Sequence, residues 1–138
     1  MSFTLVRKED PNVVDATVNY KKIGEDLLTY YYNCYDGDLS MMRHMYLATA
    51  QFTFRDCEFF GFDNWLNLLK RNGIYKFTHH VIHSTIQPLN KSELLVLVHG
   101  TLSVNNSSGF DRFTETLIIR RDAHNKFYIC NTIFSLVD

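Results

Sequence analysis

From Asn19 the apolar positions follow a helical period: Tyr20, Ile23, Leu27, Tyr30, Tyr31 and Cys34 recur at three- and four-residue steps and predict one broad buried stripe. Asp36-Gly37-Asp38 ends that helix, and Asp38 supplies a cap for a short second one with Leu39, Met42, Met45 and Tyr46 inward. Residues 50–55 read as a strand, and 56–60 as a hairpin with a brief return strand. A third helix follows Gly61, carrying Phe62, Trp65, Leu66 and Leu69 at helical spacing until Asn72-Gly73 closes it. The chain then changes character. Residues 75–88, 93–104, 113–121 and 126–136 form four long strand-like segments, separated by Asn90-Lys91-Ser92, residues 105–109 and residues 122–125, all rich in turn formers. Helices first and a run of antiparallel strands after them predict an α+β fold with the helices on one face of the sheet. Residues 1–18 lack a period and hold Pro11 and several charges, so they read as a loose tail ahead of one domain over 19–138.

The strands carry apolar residues at both parities. Leu95 and Leu97 alternate with Leu94, Val96 and Val98; Ile129 and Ile133 alternate with Cys130, Phe134 and Leu136. An antiparallel sheet with one wet face alternates cleanly between apolar and polar. The helices cover one face, which leaves two explanations for the other: a second subunit or partner packs on it, or the sheet curves strongly and bears ordinary surface leucines.

Composition narrows the functional classes. The chain has 138 residues, 14% of them aromatic, and a formal net charge of −1, with no basic tract, so direct binding to a nucleic-acid backbone is disfavoured. The aromatic content suits a lined cavity, a binding surface or an aromatic core equally. Cys34, Cys57 and Cys130 are widely spaced and match neither a zinc pattern nor a disulfide framework, and the polar start is no secretory signal. With no apolar run of membrane-spanning length, the expected setting is the reducing cytosol or nucleus, without a membrane.

Catalytic and metal chemistry find little support. His79-His80-x-x-His83 lies in a strand-like segment, where neighbours point to opposite faces and a zinc ion could not gather all three. His79, His83, Asp56 and Glu115 are candidate acids or bases, with Tyr30 or Tyr31 as a donor, yet no recognisable pair is visible, and a surface position explains Glu115 as well as a site does. No phosphate loop or nucleophile elbow is present, so no cofactor, metal or catalytic residue is assigned. A buried, paired titratable group in the cavity would favour an enzyme, and an aromatic plug an adaptor.

Four pieces in order carry a family resemblance: a Tyr-Tyr pair with a following Asp in TYYYNCYDGD, a Thr-Phe ahead of the hairpin glycine in QFTFRDCEFFG, Gln87-Pro88, and Asn131-x-x-Phe134. From Tyr20 to Asp138 the chain resembles the nuclear transport factor 2 family, which includes cofactors of the messenger-RNA export receptor. The resemblance implies a cone of three helices on a strongly bent antiparallel sheet, of the cystatin-like roll type. It also implies an apolar cavity, here lined by Tyr31, Phe54, Trp65, His79 and Phe134, and pairing through the outer sheet face. His80, Ile82, Leu97, Thr116 and Ile133 are the expected face residues. Tyr20 occupies the position that binds phenylalanine–glycine repeats of nucleoporins, and it equally starts the helix's apolar stripe as an anchor.

Two functions follow from the resemblance. One is an adaptor at the nuclear pore, moving between nucleus and cytoplasm as the heterodimeric cofactor of an export-receptor domain of similar fold. The other is a homodimeric carrier of Ran-GDP. The carrier uses an acid where this chain has Arg55 and an acidic loop where it has Val104-Asn105-Asn106-Ser107-Ser108; the export cofactors have an arginine where it has Ser135. The same architecture also hosts enzymes such as scytalone dehydratase and ketosteroid isomerase, so a small-molecule enzyme or ligand-binding cone is the third reading.

Overall fold

The computed structural model describes residues 14–137, so most of the expected tail lies outside the described residues. Helix α1 spans Ala16–Asp36 and begins earlier than its sequence period, because Asp15 caps it: the carboxylate accepts from the Thr17 N–H at 2.9 Å. A non-helical Asn19 breaks the first turn, and this break hides the opening residues from a periodicity reading. The Asp38 carboxylate caps a 3-10 helix over Leu39–Met45 in the same way. Strand β1 (Tyr46–Phe54) and strand β2 (Cys57–Phe60) form the hairpin, and helix α2 (Phe62–Arg71) follows. Strands β3 (Phe77–Asn90), β4 (Glu93–Val104), β5 (Asp111–Arg121) and β6 (Phe127–Val137) complete one sheet in the order β2-β1-β6-β5-β4-β3.

The α+β class holds, with one correction to the sheet. It is mixed, because β1 runs parallel to β6, pairing Phe52 with Thr132 and Phe54 with Phe134. Hydrophobic pattern reports which residues face a core, not which strand lies alongside, so this pairing leaves no local trace in the sequence. Bulges at Ile82 in β3 and at Cys130 in β6, the residues skipped by the pairing with β4 and β5, bend the strands around the helices.

The face α1 buries also differs from the predicted stripe. Gly24, Leu28, Tyr31, Tyr32 and Tyr35 are buried at steps of three and four; of the predicted stripe Tyr31 and Cys34 are buried, Tyr20, Ile23 and Leu27 pack partly buried beside them, and Tyr30 is 48% exposed. Gly24 sets this rotation: a Cβ there would lie 2.6 Å from Ile86 Cδ1, so the helix sits on β3 only because that side chain is missing. On the sheet, Leu94, Val96, Val98, Phe113, Leu117, Ile119, Ile129 and Phe134 point to the helices and form the core with Trp65 and Leu69 of α2.

Candidate functional site

Two places on this frame concentrate unusual features: the interior under α1 and the face of the sheet that is helix-free among the described residues. Inside, α1 delivers Tyr31, Tyr32 and Tyr35, β1 delivers Tyr46, Phe52 and Phe54, and α2 delivers Trp65. The three tyrosines meet edge-on or stacked, and Trp65 stands perpendicular to Tyr35 at 5.4 Å between ring centroids. Four of the five expected lining residues, Tyr31, Phe54, Trp65 and Phe134, surround one cavity, which these rings reduce to about 10 Å³. That is room for a single water at most. The fifth, His79, stands beside this cavity among Tyr32, Tyr35, Phe77 and Phe113.

Glu115 is the residue whose position the sequence leaves open. It is 2% exposed and lines the cavity, not the surface. It also has partners, contrary to the expectation that no candidate acid is paired. Its carboxylate accepts from the hydroxyls of Tyr32 at 2.9 Å, Thr132 at 3.1 Å and Tyr31 at 3.2 Å, while Tyr46 donates to Tyr31 at 3.3 Å. Burial pushes the Glu115 carboxyl up, partly opposed by the nearby His79 and by the three hydroxyls. Burial and the same carboxylate push the phenols of Tyr31, Tyr32, Tyr35 and Tyr46 well above their usual range, so they remain donors. Only position 115's inward parity among Phe113 and Leu117 could have signalled this, since the donors come from α1 and β6, far away in sequence.

His79 is tied down separately. Its Nδ1 lies 2.5 Å from an Asp36 carboxylate oxygen and its backbone N–H donates to the other at 2.9 Å, fastening the end of α1 to β3. Its Nε2 is buried without a hydrogen-bond partner. The interior thus holds both a buried, partnered acid and an aromatic plug, the two features that were to separate enzyme from adaptor. General acid–base chemistry needs a substrate atom within hydrogen-bond reach of the acid, and the rings leave about 10 Å³ beside Glu115. The other candidates lie apart. Asp56 is exposed at the hairpin, and His83 is exposed on the opposite side of the sheet. Among the described residues no cluster of three or more His, Cys, Asp or Glu could hold a metal ion.

The helix-free face is set by strand register. Leu97 pairs with Thr116 and Thr116 with Ile133, so three of the expected face residues form one row across β4, β5 and β6. Leu97 is 48% and Ile133 51% exposed, although each sits mid-strand in the middle of the sheet. His80 lies on the same face, in the row of Thr101, Arg112 and Val137. Ile82, the extra residue of the β3 bulge, is 62% exposed, and His83 takes the outward position that simple alternation gave to Ile82. Tyr20 packs half-buried against the rim of the core on the second turn of α1.

The positions that differ from the Ran carriers have their own roles. Arg55 turns the hairpin with φ 56° and donates its backbone N–H to the Phe134 carbonyl. The Asn105 side-chain oxygen accepts from the backbone N–H groups of Tyr75 and Lys76, while its amide donates to Gly73 O at 2.8 Å. Asn105 is therefore a clamp on the segment between α2 and β3.

The family described as Nuclear transport factor 2 (NTF2) domain matches residues 23–136. The chain is 23% identical over 121 residues to nuclear transport factor 2 of Candida glabrata, covering 87% of this chain and 96% of that protein. It is 24% identical over 120 residues to its counterpart from Emericella nidulans, covering 86% and 96%. Among solved structures, nuclear transport factor 2 of Cryptosporidium parvum superposes with a TM-score of 0.76 at 18% identity, over 86% of this chain and 95% of that one. The yeast UBP3-associated protein BRE5 does so with a TM-score of 0.74 at 20% identity, over 86% and 97%. A hexachlorocyclohexane dehydrochlorinase from Novosphingobium barchaimii shares the fold with a TM-score of 0.72 at 11% identity, over 88% of each chain.

Proposed function

This chain belongs to the nuclear transport factor 2 family, and we propose that it acts there as a non-enzymatic adaptor, pairing through its sheet with the related domain of a messenger-RNA export receptor. The observation that carries the reading is the Leu97–Thr116–Ile133 row, a band with exposed Leu97 and Ile133 across the middle of a sheet face that no helix among the described residues covers. Burying such a band against a second sheet gains roughly 25 cal/mol per Å² of apolar area, and a standard interface removes about 800 Å² per partner. The plugged interior supports the non-enzymatic part. BRE5, whose structure is described as that of a cofactor in complex with the deubiquitinase Ubp3, offers a precedent for a protein-binding role of this fold. The adaptor moves between nucleus and cytoplasm, with Tyr20 as its contact for nucleoporin phenylalanine–glycine repeats at the pore.

Size-exclusion chromatography with light scattering tests the pairing. A 1:1 complex with the export-receptor domain is expected, and Ile133→Asp abolishes it while circular dichroism stays native. A wild-type chain that stays monomeric beside that domain overturns the reading. The homodimeric Ran-GDP carrier is a weaker account, because Arg55 reverses a charge and Asn105 is committed to its clamp. A stable homodimer that captures Ran-GDP would establish the carrier instead.

A further inference from the structure

Between β4 and β5 the chain leaves the sheet over residues 105–110. Asn105 and Asn106 both take left-handed backbone, at φ 55° and 58°, and the Val104 carbonyl accepts from the Ser107 N–H at 3.1 Å, which closes a turn. The Asn105 side chain, clamped to Gly73, Tyr75 and Lys76, anchors the start of this loop. Beyond the turn the backbone is untied. Ser108, Gly109 and Phe110 make no backbone-to-backbone hydrogen bond among the described residues, and only the Gly109 N–H finds a side chain, donating to Ser107 Oγ at 3.2 Å. Residues 106–112 are all exposed. Neither the Ser108 hydroxyl nor the carboxylate of Asp111, three residues later, has a hydrogen bond or ion pair among the described residues. No side chain from 105 to 110 carries a charge.

We infer that Ser108 is a phosphorylation site for an acidophilic serine kinase, a modification that turns this neutral loop anionic. A kinase takes its substrate hydroxyl from an accessible, extended segment, because the hydroxyl must enter a cleft and meet the γ-phosphoryl group of ATP in line. An acidophilic kinase adds a cationic pocket for a carboxylate three residues after the acceptor, a charge-assisted contact. The sequence offers three such pairs: Thr53 with Asp56, Ser108 with Asp111, and Ser135 with Asp138. The fold selects among them. Thr53 lies in β1 between β2 and β6, and Ser135 lies in β6 opposite Thr114, so ladder pairing holds both away from a cleft. Of the three hydroxyls, Ser108 alone stands outside the sheet. In the transfer the Ser108 O–H proton passes to the kinase's base, Oγ bonds to the γ-phosphorus, and the phosphorus–oxygen bond to ADP breaks. The product carries about −1.5 to −2 charge at pH 7 and three strong acceptor oxygens, a group that arginine and lysine side chains of a partner engage. The inference stands independently of the sheet pairing, since the loop lies beyond the strand ends and the Leu97 row lies mid-strand.

Incubating the folded full chain with ATP, magnesium and an acidophilic serine kinase of the casein kinase 2 type, followed by tandem mass spectrometry, tests this. One phosphoryl group per chain is expected, placed on Ser108 by the fragment ions of the tryptic peptide 92–112. Thr53 and Ser135 stay unmodified. Ser108→Ala abolishes incorporation, and Asp111→Asn slows it about tenfold, the loss of one hydrogen-bonded contact to a charged group. Circular dichroism of both loop variants stays native. A folded chain that takes up no phosphate overturns the inference. Incorporation at Thr53 or Ser135 as fast as at Ser108 also overturns it, because the fold then selects nothing. Equal rates for wild type and Asp111→Asn overturn it as well, because the carboxylate then plays no part in recognition.

Discussion

Glu115 shows how a single carboxyl can be both held and penalised. Three hydroxyls satisfy it, yet burial raises its pKa from the unfolded value of 4.5. A raised carboxyl favours folding most below the unfolded value, and that contribution is lost as pH rises through the folded value. Glu115→Gln retains an acceptor for the phenols and carries no charge. Its stability relative to wild type should therefore grow between pH 4.5 and pH 8, measured by urea unfolding at both pH values. Equal differences at the two would show that the carboxyl is not strained. Glu115→Leu removes the acceptor from three buried hydroxyls and should cost about 3 kcal/mol at pH 4.5 and less at pH 8, where the wild type carries the buried charge. At this scale the sequence was least legible. Position 115 reads as inward by parity, but its partners Tyr31, Tyr32 and Thr132 are 84, 83 and 17 residues away. Nothing local records such distant donors.

Elements were more legible than residues, for identifiable reasons. The β4 and β5 strands announce themselves because Leu94, Val96 and Val98, then Phe113, Leu117 and Ile119, fall on one parity. The hairpin glycine and Asn72-Gly73 mark turns where φ is positive at Gly61 and Gly73. The face of α1 was misread because several aromatic residues, Tyr30 among them, lie close together, and only Gly24's approach to Ile86 chooses the rotation. A similar constraint operates between β3 and β4. A Cβ on Gly100 would fall 2.1 Å from the His80 carbonyl oxygen, a backbone atom that cannot step aside. Gly100→Ala should thus cost about 2–3 kcal/mol, with the loss concentrated in β3. Hydrogen exchange checks this: faster exchange across β3 with α2 unchanged is expected, and uniform protection would refute it.

For the whole molecule, the arrangement separates two tasks. The interior is closed by Tyr35, Phe52 and Trp65, so it gives stability, while the proposed pairing falls to the sheet's other face. Trp65→Ala should cost about 3–5 kcal/mol in unfolding free energy, whereas Leu97→Asp, on the face, should leave the melting temperature within a few degrees. Differential scanning calorimetry separates the two, and a Leu97→Asp variant that melts far below wild type would place that side chain in the core.

The parallel pairing of β1 with β6 has a consequence for biosynthesis. Strand β1 leaves the ribosome early, yet its lasting neighbour on one side is the last strand of the described chain to be made. Until residues 127–137 emerge from the exit tunnel, the hairpin of β1 and β2 cannot join the meander of β3, β4 and β5. Nascent chains stalled before Phe127 hold two half-sheets with open apolar edges, the kind of surface chaperones capture. The domain commits to its fold only when translation has passed β6.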